Sequence, residues 1–490
     1  MSDTLRIGGL GSGMDISGTI EKLLASDAER VQAAQETQDT RNEKIAAWLE
    51  IKTKLADFTK ASDTLRWMDV WRKMAPTSSN PETATATAAS NAPKATYSLE
   101  VTQLARAQTI GSAVGLTTGG ATPAPVTAST KLVDIAGISA GNQFAIAGQT
   151  FTITANDTLA TLRTKINEAS ANMPQDQRVT ASILDNRLVL QRTQTGVDNM
   201  ILSDMAGSPL QALGILDGLG NPANELMAAQ NAVFTVNGAL VERSSNTALT
   251  DVIDGVTLNL AGIGNTDLVI ASDTQAVKDA ITTFVDSYNA YAETIEKYGE
   301  FDTTDPTNPV PGLLQGDFMV REMISTLRGK VTQLSSALTV TESIYQYNGQ
   351  QGVMNSLQHV GIWTSDENNR IAIVDETRLN AMLDQYPDKV ENLFRGIQDA
   401  SGSRVGGIAQ SLYVASKNYS SDLDGWIDVR IENMDEEIKQ QDERITRMIS
   451  DMEMKESMLW KQFNAMDEAV GTMNKDLEWV LNSLKLKSSS

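Results

Sequence analysis

Residues 427–484 read IDVRIENMDEEIKQQDERITRMISDMEMKESMLWKQFNAMDEAVGTMNKDLEWVLNSL, and their spacing decides the architecture. Ile431, Ile438, Ile445, Met452, Leu459, Met466, Met473 and Val480 follow one another at intervals of seven. A second row holds Ile427, Met434 and Met448, then slips by one residue to Phe463, Val470, Leu477 and Leu484. Seven residues are nearly two helical turns, so both rows lie on one face and form a stripe that demands cover. A straight helix drifts in this way against a seven-residue repeat, which predicts packing in a bundle rather than a strict two-stranded coil.

The opposite end of the chain supplies part of the cover. Residues 14–70 also carry helical spacing, at Ile16, Ile20, Leu23 and Leu24, then Ile45, Trp48, Leu49, Leu55, Phe58 and Leu65, and no proline precedes Pro76. Between Asp27 and Lys44 the stripe thins to Val31 and alanines among Gln, Glu, Asp and Arg. A helix of that composition is marginal without a partner, because its apolar burial does not offset its ordering entropy. The two ends predict an antiparallel stem whose extremities are completed by other molecules.

A chain of 490 residues exceeds one core and implies several domains. Its formal net charge of −22, from 62 acidic and 40 basic residues, argues against a nucleic acid or an anionic membrane surface as partner. Residues 1–75 hold 12 acids and 11 bases, net −1, whereas 421–490 hold 16 acids and 9 bases, net −7. With no cysteine there is no disulfide, thiolate metal site or thiol nucleophile. The opening MSDTLRIGGLGSG lacks the basic and apolar regions of a secretory signal, and no run approaches the ~18 apolar residues of a membrane span. These features predict a soluble acidic protein, either cytoplasmic or exported without a cleaved signal.

Between the ends the pattern changes. Pro76, Pro81 and Pro93 punctuate a Ser/Thr/Ala-rich stretch that reads as a linker. Alternation at Tyr97, Leu99 and Val101 predicts a strand, and 111–130 reads as a Gly/Pro/Thr hinge. A β-rich unit follows: paired strands around Gly148-Gln149, a helix LATLRTKINEAS capped by Asp157 or Thr158, then VTASIL and RLVLQR joined at Asp185-Asn186. Asn237-Gly238 between alternating apolar residues marks a hairpin, since both turn positions need positive φ. Helical spacing returns at Val277, Ile281, Phe284, Tyr288, Tyr291 and Ile295, and again near 317–336. The strand RIAIV and two short helices follow, one capped by Asp375 and one opened by a capping box of Asp388 and Glu391. The order helical, β, helical is roughly palindromic and predicts nested domains.

Catalysis finds little support. The single histidine, His359, sits among apolar neighbours as structural histidines do, and HExxH, CxxC and GxxxxGK motifs are absent. Gly218-Leu219-Gly220-Asn221-Pro222-Ala223 fits a dinucleotide-loop pattern formally, yet Pro222 interrupts it and no buried strand leads into it, so it reads as a loop. Asp435, Glu436 and Glu437 point in different directions from a helix and read as a solvated face, and 365–370 (SDENNR) lacks the spacing of a calcium loop. The expectation is a non-enzymatic protein with no cofactor and no metal.

Seven ordered segments resemble the flagellar hook-associated protein 2 family, the filament cap proteins. They are Gly9–Ile16 with Ile20, Leu23 and Leu24; Tyr97–Ala105 with Ala107 and Gln108; Phe234–Gly238, Arg243–Asn246 and Asp251–Leu258; and Phe284-Val285 with Tyr288-Asn289. The others are Leu314–Asp317, Gly361-Ile362 with 373–394, and Gln462-Phe463 with Ala465-Met466 and Leu481-Asn482. Residues 137–195 also resemble an insert shared with flagellins.

The resemblance implies an α+β multidomain chain with a long coiled-coil-like stem from both termini and nested β-rich distal domains. Its expected parts are a terminal leg (1–40, 450–490), a helical stem (41–75, 275–449), a β-domain (76–109, 230–274) and an outer β-rich domain (110–229). It implies an extracellular position at the flagellar tip, reached by the flagellar type III route, and a plate that prevents flagellin loss and promotes flagellin folding and insertion. The implied partners are further copies in a ring (about a pentamer), flagellin, the hook–filament junction protein, the export apparatus and a secretion chaperone, with no nucleic acid and no membrane insertion. The expected interaction residues are Ile16, Ile20, Leu23, Leu24, Leu459, Phe463, Met466, Val470, Met473 and Leu477. The alternatives are a junction protein, a flagellin-like subunit or a secreted adhesin. The motifs at Asn246/Gly255 and Leu314–Asp317 weigh against the first two.

Overall fold

The computed structural model describes residues 13–302, 305, 307–335, 337–338, 343–365, 369–422 and 424–488, with side chains to 482. It is a mixed helix-and-strand protein in two compact units, Met1–Val70 with Thr274–Ser490 and Trp71–Asp273.

The first unit is organised by one helix of 51 residues, Ile16–Arg66. Asp15 starts it, accepting a hydrogen bond from the Gly18 N–H at 2.9 Å. Its C-terminal half buries Trp48, Ile51, Leu55, Phe58 and Leu65 at helical spacing. The predicted apolar face of Thr274–Gly299 meets it: the Phe58 ring lies 5.4 Å from those of Phe284 and Tyr288. Helix Ile408–Ser420, which periodicity did not single out, also packs against the first helix. Phe318–Thr332 is capped by Asp317, within the span expected for it. Asp375 caps Glu376–Gln385 as predicted, accepting from the Arg378 N–H at 2.8 Å. The expected capping box at Asp388 is corrected: Pro387 occupies the first turn, the cap is Tyr386 without a side-chain bond, and Glu391 instead pairs with Arg395 one turn on. Proline's missing N–H makes that first turn its favoured site, which displaces Asp388 from the capping position.

The second unit holds two hydrophobic cores. One lies between a five-stranded antiparallel sheet, ordered Met74–Ser78, Gly264–Ser272, Ala95–Gln103, Ala232–Val236 and Ala239–Arg243, and a three-stranded sheet, ordered Leu249–Ile253, Val256–Leu260 and Ala84–Ala88. Leu99, Val101, Phe234, Leu258, Leu268 and Ile270 fill it. Asn237 and Gly238 adopt the positive φ that the hairpin requires. The linker reading of 76–93 is therefore corrected, because Met74–Ser78 and Ala84–Ala88 are strands. Pro76 is tolerated on an edge strand, where a missing N–H costs no ladder bond. The other core gathers Phe144, Ile146, Leu162, Ile166, Leu188 and Leu190. Here the alternative of Asp157 or Thr158 resolves to Thr158, which forms a reciprocal cap with Thr161. Asp157 instead binds Lys165 at 2.7 Å and the Thr154 N–H. The stretch 111–130 does not hang free, since Val126 is buried in this core and its N–H bonds the Leu116 carbonyl.

Candidate docking surface on the terminal helices

The final helix runs from Trp426 to Ser488, 63 residues or about 95 Å. It lies antiparallel to the first helix, because paired numbers fall on one as they rise on the other. Lys52 pairs with Asp428, Arg41 with Glu437, and Asp27 with Lys455. In the stretch where the first helix has little apolar surface, cover comes from buried Val31, the Gln441 side chain bonded to the Ala34 carbonyl at 3.2 Å, and buried Ile445. Lys455 holds the Asp27 carboxyl below its ordinary value by a hydrogen bond of 2.7 Å. Asp422 and then Asp428 raise Lys52 above its usual range.

The pairing ends at a small cluster. Ile16 and Ile20 are buried with Trp460, and Leu24, Leu459 and Phe463 pack around them. Five of the ten expected interaction residues therefore meet inside the chain. Leu23 is not among them: it faces solvent at 48% exposure, a quarter-turn from Leu24. Trp460 is the residue that the seven-residue rows missed. The slip to Phe463, three residues on, was the available signal, because it marks the buried direction rotating with the drift of the helix.

Beyond Phe463 the same face opens. Val470 is half-buried, while Met466, Met473 and Leu477 are exposed, Met473 at 65%. Leu484 lies beyond the described side chains. Burying a Leu or Met side chain is worth roughly 1.5–3 kcal/mol, so this segment carries a drive toward a partner surface.

The sites weighed for chemistry sit elsewhere. His359 is half-buried, its Nδ1 3.0 Å from Ser356 Oγ, and burial followed by the nearby Arg378 holds it below the ordinary histidine value. Glu437 faces Arg41, Glu436 faces Lys439, and Asp435 is exposed, so the acidic trio does not converge. Residues 217–221 form a closed turn in which Asp217 accepts from the N–H groups of Leu219 and Asn221. Residues 366–368 of the SDENNR loop lie outside the described residues. A groove of about 570 Å³ between Phe318–Thr332 and Ile408–Ser420, lined by Lys330, Arg404, Val414 and Trp426, is an open surface rather than an enclosed substrate cavity. No helix among the described residues is long and apolar enough to cross a membrane.

Comparison with known proteins finds similarity over most of the chain. The family description "Flagellar hook-associated protein 2 C-terminus" matches residues 229–475, and "Flagellar hook-associated protein 2 N-terminus" matches 12–108. The chain is 30% identical over 477 residues to the flagellar hook-associated protein 2 of Escherichia coli strain K12, covering 90% of this chain and 95% of that one. It is 26% identical over 500 residues to the A-type flagellar hook-associated protein 2 of Pseudomonas aeruginosa, covering 97% and 96%. The crystal structure of the D1-D2-D3 domains of the Escherichia coli flagellar cap protein FliD superposes with a TM-score of 0.55 at 26% identity, covering 79% of this chain and 99% of that one.

Proposed function

The chain belongs to the flagellar hook-associated protein 2 family, and from that premise we propose that it is a flagellar filament cap working by steric and adhesive contact. The observation that carries the mechanism is the apolar face of the last helix, paired with the first helix as far as Phe463 and open beyond it. The paired helices act as a coiled-coil-like stem. Residues 464–482 act as the end of a leg that docks against flagellin, a neighbouring cap subunit or, before export, a chaperone. A face left half-covered within one chain suits a contact that must be made and released as each subunit is inserted. The Trp71–Asp273 unit, with its two cores, supplies the plate, and several copies form a ring above the growing end. Export through the flagellar type III channel and a position at the extracellular tip follow from that role.

The test separates internal packing from docking. Met473→Asp with Leu477→Asp alters exposed residues, so thermal unfolding should stay within about 0.5 kcal/mol of the parent, as is usual for surface changes. Filament elongation should fail, with unpolymerised flagellin released into the medium. Full-length filaments from the double variant would place the docking surface elsewhere. Leu459→Asp is the contrasting change, because it enters the cluster of Ile16, Ile20 and Trp460 and should also loosen the stem.

A further inference from the structure

The stripe of the last helix carries methionine at Met434, Met448, Met452, Met466 and Met473, with Met454 and Met458 beside the rows. They are covered at the start of the helix and exposed from Met454 onward, Met458 at 54% and Met466 at 39%. Met434 is buried and Met448 and Met452 are half-buried, while Met454 is 61% and Met473 65% exposed. In the first unit's core, Met323, Met354 and Met382 are fully enclosed. The chain has no cysteine, so no thiol intercepts an oxidant before it reaches a thioether.

We propose that Met466 and Met473 are sites of reversible oxidation by hydrogen peroxide, and that their sulfoxides block docking of the leg. This rests on the docking role assigned above to the same face. In each event a sulfur lone pair attacks one peroxide oxygen and the O–O bond breaks. One oxygen stays on sulfur and the other leaves as water, so the thioether is oxidised by two electrons and the peroxide reduced. The product replaces a flexible apolar side chain by a polar, chiral one, which a dry helix–helix contact excludes. The choice of methionine has its own logic: an unbranched, polarisable side chain adapts to non-equivalent partners, and susceptibility to oxidation accompanies that adaptability.

The experiment uses the full chain treated with dilute hydrogen peroxide. Peptide mass mapping should find Met454, Met458, Met466 and Met473 oxidised roughly tenfold faster than Met323, Met354 and Met382, as accessibility dictates. Met205 and Met227, also exposed but in the other unit, should oxidise as well and serve as sites off the docking face. Treated and untreated chains are then added to flagellated cells lacking their own cap protein, and filament growth is scored. Peroxide should abolish capping, and methionine sulfoxide reductases acting on both epimers should restore it. A variant carrying Met466→Leu and Met473→Leu, compared with itself before treatment, should lose far less. Undiminished capping by the oxidised parent, failure of the reductases to restore it, or an equal loss in the leucine variant each overturns the proposal. Failure of the untreated parent to cap overturns instead the functional reading beneath it.

Discussion

Trp460 shows how much one residue adds to a periodic pattern. It lies outside both rows of the stripe, yet it is the side chain from the last helix that is buried with Ile16 and Ile20. Ile16, Ile20, Leu24, Leu459 and Phe463 were legible because 3.6-residue spacing identifies a face, but the point where that face turns depends on accumulated drift. His359 makes a separate residue-scale prediction. Burial and then Arg378 hold its pKa below the ordinary value near 6.5, so between that value and its lower folded pKa the unfolded chain binds more protons than the folded one. Its contribution to stability is therefore full above about pH 6.5 and is lost as pH falls through the window below. As the sole histidine it can be isolated. Urea unfolding of the parent from pH 8 to pH 5 should show this decline, and His359→Gln should flatten it. An equal slope in both would assign the decline to carboxylates.

Elements differed in legibility according to how far away their partners lie. The helices at 274–299 and 318–332 carried their own apolar faces, and the hairpin at Asn237-Gly238 carried its own turn chemistry. The strands Met74–Ser78 and Ala84–Ala88 did not. Their Ala, Thr and Pro content is that of a loop, and only pairing with Gly264–Ser272 and Val256–Leu260 makes them strands. Helix Ile408–Ser420 likewise acquires its buried face, with Leu412, Ala415 and Tyr419, from the helices around it. The consequence for proteolysis is direct. Limited digestion should cut the last helix beyond Phe463 before it cuts 74–88, because paired strands resist local opening while a helix with an open face does not. Mass analysis of the first fragments checks this, and early cleavage within 74–88 would show that the pairing there is weak.

At the scale of the molecule, charge and apolar surface pull in opposite directions. A net charge of −22 repels like copies, while the open face of the last helix favours contact. Salt screens the repulsion without weakening apolar burial, so self-association should rise with ionic strength. Sedimentation of the full chain at increasing concentration and salt tests this; a monomer under every condition would count against a ring. The ion pairs between the first and last helices, such as Asp27–Lys455 and Arg41–Glu437, are partly exposed and contribute little each.

The sequence alone determined that the two ends of this chain are helices with complementary apolar faces, that β-rich units lie between them, and that the chain resembles filament cap proteins. Those conclusions rest on local information: spacing, caps, turn residues and motif order. The tertiary structure decided which part of the terminal stripe is internal and which is open, because burial belongs to pairs of surfaces rather than to a residue. Leu459 and Met466 occupy the same row, one seven-residue repeat apart, yet Leu459 packs beside Ile16 and Ile20 while Met466 is exposed. The difference is set by where the partner helix begins, a length and register that the stripe itself does not contain.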